Sequence, residues 1–168
     1  MPDNPNTIAP YSYWSTAATN IQDAVDIAQS SDTILVADGV YNSDGRAYAS
    51  SPAMTNRVCI TDAITLKSVN GPSKTVIEGK GPKGNGAIRG VFMVNNTVVS
   101  GFTITNGFSL TTGSNTYEES AGGVFMKSGG MLTNCVVTHC SSDYDAGGVY
   151  GDVPCIVKTF LQSLRLIY

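Results

Sequence analysis

Carboxylates, tyrosines and a guanidinium gather in three separate polar stretches of this chain. Asp44, Arg46 and Tyr48 lie in the first, Tyr117, Glu118 and Glu119 in the second, and Asp143, Tyr144 and Asp145 in the third. Converging carboxylate oxygens can hold a hard cation such as calcium, and tyrosine rings can stack on sugar rings. No fixed ligand spacing of the EF-hand kind is present, so solvation of long loops is the competing reading of the same residues. Lys127, if close to Asp145 or Asp152, offers a second chemistry, because desolvation can lower an amine towards general-base duty. An ordinary surface ion pair is the simpler reading.

Other chemistries lack material. The single histidine, His139, leaves almost nothing from which to build Ser-His-Asp, Cys-His or His-rich metal sites. Cys59, Cys135, Cys140 and Cys155 do not show the paired C-x-x-C spacing of structural zinc, and are read as buried or free thiols. A disulfide among them has no pairing that spacing can name. Charged residues make up 14% of the chain, with a net charge of −3 and no basic cluster, which argues against nucleic acid as a partner. No apolar run approaches the roughly 18 residues of a membrane span. Residues 1–6 have neither a basic n-region nor an apolar h-region, so no signal peptide is expected in this chain. Asn95-Asn96-Thr97 matches a glycosylation acceptor, a pattern short enough to arise by chance.

The elements that must position these residues repeat. Ala121-Gly-Gly-Val-Phe125 returns as Ala146-Gly-Gly-Val-Tyr150, 25 residues on. Val91-Phe-Met-Val94, leading to Val98–Ile104, matches Val124-Phe-Met-Lys127, leading to Met131–Val137, at an offset of 33. Val58-Cys-Ile-Thr61 with Ile64–Ser68 is an earlier, looser copy, and Asp32–Asn42 (DTILVADGVYN) reads as the first coil. Each unit is a set of short β-branched runs punctuated by Gly, Asn or Asp, and buries its apolar face only by stacking on its neighbours. In such a solenoid residues 42–57, 80–90, 107–123 and 141–148 emerge at one corner, bringing the three polar stretches together. With 168 residues and 42% of them hydrophobic, the whole of 1–168 is read as one domain.

Strand alternation sorts the aligned residues into two columns. Val58, Val91, Val124 and Val149, with Ile60, Met93 and Met126, are placed inside. Cys59, Phe92, Phe125 and Tyr150, then Thr61, Val94, Lys127 and Asp152, are placed outside, because burying an unpaired Lys or Asp is prohibitively costly. With strands roughly 4.8 Å apart, Phe92, Phe125 and Tyr150 form a continuous outer strip. Left open, it marks a binding or self-association surface; folded under residues 107–123, it does not. At the other end of the chain, after an extension over 1–14, Thr19 and Gln22 fit a capping box. Ile21, Ala24, Val25 and Ala28 then form an apolar stripe, predicting a helix over 19–30 that caps the solenoid. Residues 152–168 lose the Gly/Asn punctuation. They are read as a last coil, a cap, an association segment or the end of a truncated gene.

Trp14–Val25, Asp32–Asn42, Ile64–Pro72 (ITLKSVNGP), Thr75–Gly79 (TVIEG) and Val99–Gly107 (VSGFTITNG) together resemble the pectin-lyase-like superfamily over residues 11–151. The resemblance is to its repeat-rich bacterial branch, which includes secreted and cell-surface proteins. It implies an all-β fold, a short right-handed parallel β-helix, here of about five coils over 32–151 with the N-terminal capping helix. Lyases, hydrolases, adhesins and spike proteins share that fold, so it does not specify activity. Members acting on acidic polysaccharides carry stacked acidic residues, often with calcium, or an outer-face Arg or Lys base. Polygalacturonase-like members carry Asn-Thr-Asp, an Asp pair and Gly-His-Gly. None of these three motifs is present, and His139 sits in Thr-His-Cys. The expectation is therefore a non-catalytic β-helix module for surface binding or self-assembly, including a truncated member of a polysaccharide-active family. The alternative is a polysaccharide lyase or glycoside hydrolase acting on acidic polysaccharide. The partners expected are a polysaccharide or further copies of the chain, joined through the outer strip or the C-terminal end.

Overall fold

A computed structural model describes residues 4–94, 96–113, 115–152 and 156–158. After a short helix α1 (Ile21–Ile27), the chain runs through β1 (Thr33–Val36), β2 (Gly39–Tyr41), β3 (Arg46–Tyr48) and β4 (Ser51–Ile60). It continues through β5 (Thr65–Ser68), β6 (Thr75–Glu78), β7 (Ile88–Val94), β8 (Val98–Ser100) and β9 (Thr103–Thr105). Helix α2 (Thr116–Glu119) precedes β10 (Val124–Lys127), β11 (Met131–Thr133), β12 (Val136–Thr138), β13 (Val149–Gly151) and β14 (Ile156–Lys158). Three faces result, ordered β1-β5-β8-β11-β14, β2-β6-β9-β12 and β3-β4-β7-β10-β13. Every pairing between named strands is parallel except β3 against β4. The molecule is a β-solenoid.

It makes about three turns rather than five, for a geometric reason. β1 and β2 supply two faces of the same turn that β4 completes, so Asp32–Asn42 and Val58–Thr61 are not separate coils. From Val58 through Val91 and Val124 to Val149 the chain then returns to the same face three times, and these four valines are paired in register. Val58, Val91 and Val124 are buried with Ile60, Met93 and Met126 in the main core, against which Val149 packs. The neighbouring column, Cys59, Phe92, Phe125 and Tyr150, is also in register and points out of the coil into a second cluster.

The corners explain why such short strands turn in step. Gly101 and Asn134 follow equivalent strands with positive φ (84° and 49°), as do Asn106 and His139 (52° and 53°). These residue types tolerate the left-handed region better than most. His139 therefore serves as a corner residue. Gly90 answers a different need, since a Cβ there would collide with the Ile104 side chain and the Gly123 carbonyl.

The first helix differs from its expected 19–30 span. It covers Ile21–Ile27, and its N-cap is Asn20, whose side chain accepts from Asp23 N at 2.8 Å. Asn is the stronger N-cap acceptor, and Thr19 is left outside. Gln22 does not close a capping box. Its Oε1 accepts from Cys59 N (2.8 Å) and its Nε2 donates to Cys59 O (3.1 Å), so its amide satisfies the β4 backbone where β3 no longer runs beside it. Ile21 and Val25 enter the main core. Of the tail, Ile156–Lys158 stacks on β11 as a further parallel strand, while Cys155, residues 159–168 and Asn95 lie outside the described residues.

Candidate functional site

The outer strip is covered. Phe92 and Phe125 are 0% exposed and Tyr150 is half-buried. Tyr48, carried by β3, stacks on Phe92 with ring centroids 4.4 Å apart. Phe92 stacks on Phe125 at 5.5 Å, and Tyr117 of α2 meets Phe125 edge-on at 5.2 Å. Tyr150 closes the row at 5.1 Å from Phe125. Phe92 and Phe125 are thus sealed from solvent by Tyr48 of β3 together with Tyr117 from residues 107–123.

Arg89 ties that cover down. Its Nε donates to Ala121 O (2.6 Å), its guanidinium donates to Ser120 O (2.7 Å) and Asn56 Oδ1 (2.8 Å), and it also donates to Tyr117 O. Its guanidinium lies 5.2 Å from the Phe125 ring centroid. Burial pushes its pKa down to about 9, which the nearby Cys59 and Glu118 oppose. Cys59, in the same cluster, is pushed up to about 11 by burial and is a poor thiolate. Strict alternation would have sent Arg89 inward with Val91. Its guanidinium instead lies against Phe125 of the outer cluster, so strict alternation alone does not place it.

Among the described residues, Lys127 makes no ion pair with a carboxylate. Its Nζ lies 4.9 Å from the Tyr48 ring centroid and 4.8 Å from that of Tyr117, and it donates to Tyr48 Oη at 3.4 Å. The ammonium is clamped between two aromatic faces. Asp152 instead accepts from Ser128 N at 3.0 Å.

Asp44, Glu118, Glu119 and Asp143 are engaged by separate partners. Asp44 accepts from Asn20 (3.3 Å) through its side chain and from Arg57 through its carbonyl. Arg46 pairs with Asp26. Glu118 is fully buried and accepts from Ala53 N (3.2 Å), while Glu119 accepts from Gly113 N (2.7 Å). Asp143 pairs with Lys83 at 3.1 Å, Asp145 accepts through its carbonyl from Ala121 N, and Tyr144 stands in solvent. Among the described residues, no group of three or more His, Cys, Asp or Glu side chains is placed to hold a metal ion. Glu78, outside the three stretches, joins Asn42 (3.1 Å) and Asn106 (2.9 Å) across successive turns, and these bonds hold its carboxyl below the usual range.

A cleft of about 580 Å³ opens elsewhere, between residues 10–18, helix α1 and strand β1. Tyr13 and Trp14, 75% and 49% exposed, line it with Ile27 and Leu35, which are also largely exposed. Tyr11 and Tyr41 complete its aromatic wall, and the Tyr41 hydroxyl, pushed up to about 12 by burial and Asp38, donates to Ala37 O at 3.0 Å. No family model, curated protein or solved structure matches this chain. The cleft therefore has to be read from its own chemistry. Sequence reasoning missed it, although three aromatics within four residues (Tyr11-Ser-Tyr-Trp14), outside any strand or helix periodicity, were a usable signal. No helix among the described residues is long and apolar enough to cross a membrane.

Proposed function

We propose that this protein is a non-catalytic β-helix module for surface binding. The cleft beside Trp14 carries the reading. Large aromatic and aliphatic side chains held in water on a rigid scaffold cost solubility, and such patches mark interaction sites. The proposal includes the right-handed, pectin-lyase-like plan, with helix α1 as the end cap against which the cleft is built. Support also comes from the outer face, where Arg89 and Lys127 are spent on internal contacts and Asp44, Glu118, Glu119 and Asp143 are each engaged by a separate partner.

Co-sedimentation tests this reading with microcrystalline cellulose, chitin, hydroxyapatite and phosphatidylserine vesicles as probes. The full chain is expected to sediment with at least one of them, and a Trp14→Ala/Leu35→Ser variant with native circular dichroism is expected to stay in the supernatant. A wild-type chain that sediments with none of the four, or a variant that sediments equally well, overturns it.

A further inference from the structure

We infer that the cleft between residues 10–18, α1 and β1 is a binding site for a neutral glycan. The inference rests on the surface-binding reading above and names its ligand class. Three observations about the lining select it.

The first is charge. Among the described residues that line the cleft there is no Lys or Arg, and Asp32 supplies the single ionisable carboxylate. An acidic polysaccharide, a phosphate or an anionic lipid headgroup would enter with no cation to meet it and one carboxylate to repel it. The second is the mixture of surfaces. Trp14 and Tyr13 are exposed, while the Trp14 indole N–H and the Ser12 and Thr33 hydroxyls make no hydrogen bond among the described residues. A pyranose ring has the matching division, with C–H groups on its faces to lie on aromatic rings and hydroxyls at its edge to exchange hydrogen bonds. An acyl chain would use the rings and waste the polar groups. The third is size, since the cleft falls within the roughly 300–1,000 Å³ of small-molecule sites and remains open to solvent. An open cleft admits a chain-like ligand whose remaining sugars stay in water.

Trp14 is the only tryptophan in the molecule, so its fluorescence reports on this cleft alone. The full chain would be titrated with neutral hexasaccharides of glucose, mannose and xylose in α and β linkages, and with hexagalacturonate as the acidic counterpart. Emission and calorimetry would be followed together. At least one neutral hexasaccharide is expected to shift Trp14 emission saturably, and Tyr13→Ala is expected to weaken that ligand by about tenfold while leaving the thermal midpoint unchanged. Hexagalacturonate is expected to give no saturable change. The inference is overturned if hexagalacturonate binds as tightly as the best neutral sugar, or if no neutral hexasaccharide moves the emission. It is also overturned if emission changes with protein concentration alone, which would make a second copy the occupant. Co-sedimentation separates the two failures. Trp14-dependent sedimentation with hydroxyapatite or vesicles, alongside silent glycans, removes only the ligand class; no sedimentation with any probe removes the surface-binding reading as well.

Discussion

The molecule carries two aromatic patches with opposite fates. On the face built from β4, β7, β10 and β13, Phe92 and Phe125 are sealed under Tyr48 and Tyr117. At the N-terminal end, Tyr13, Trp14, Ile27 and Leu35 remain in water around a cleft. Both patches consist of apolar rings set on or beside parallel strands. What separates them is a covering segment with the polar hardware to anchor it. Residues 107–123 hand their backbone carbonyls to a buried arginine, and their Tyr117 joins Tyr48 of β3 in clamping a lysine. Nothing among the described residues does the same over Trp14. A ring column thus becomes core or surface according to contacts made by residues distant in the chain.

The strongest test of this contrast is Phe125→Asp. Asp at 125 loses the ring contacts with Phe92, Tyr117 and Tyr150 and buries a charge beside an Arg89 guanidinium that already donates to four oxygens, and the chain is expected to lose its cooperative urea transition altogether. An open strip would instead have tolerated the change and lost only an oligomeric contact. Next in size is Arg89→Ala, which leaves the Ala121 and Ser120 carbonyls without their donor and Glu118 without a neighbouring cation. A loss of about 3–5 kcal/mol is expected from urea denaturation. A change below about 1 kcal/mol would mean that the cover is held by the rings alone.

Lys127→Ala should cost about 0.5–2 kcal/mol, because one ammonium contacts two rings. Its particular signature is faster amide exchange over residues 116–119, with exchange in β7 and β10 unaltered. Equal acceleration in all three places would show that the lysine supports the sheet and not the cover. The smallest effect is expected at the open end, where Trp14→Ala should shift the folding free energy by no more than about 0.5 kcal/mol. Loss of several kcal/mol there would mean that Trp14 belongs to the core, and the contrast between the two patches would collapse.

Much of this was legible in the chain before any coordinates. The 33-residue offset placed Val58, Val91 and Val124 in one column because a parallel ladder pairs equivalent residues of successive turns. The two-residue period of a strand then sent Phe92 and Phe125 to the other side. The number of turns is smaller than the repeats suggest, since β1 and β2 look like a repeat unit by composition yet share a turn with β4. Thr19 lies one residue before the true N-cap, because Thr-x-x-Gln satisfies a capping pattern whether or not its Gln is needed elsewhere. Gln22 is needed elsewhere, at Cys59.

The candidate sites were the least legible part. Corner loops do neighbour one another, but proximity of loops does not bring side chains together. Asp44, Glu118 and Asp143 each found a separate partner. The cleft joins residues 10–18 to β1 and α1, and no local pattern states that these three segments leave a gap between them.

The sequence by itself determined the solenoid, its inner column and its outer column. Those follow from period and offset, which are properties of a chain read along its length. Only the tertiary structure decided that the outer rings are buried, that Arg89 turns outward and that Trp14 stands over an open cleft. Each of those depends on whether a segment tens of residues away satisfies its own hydrogen bonds better on the surface of the coil or in water.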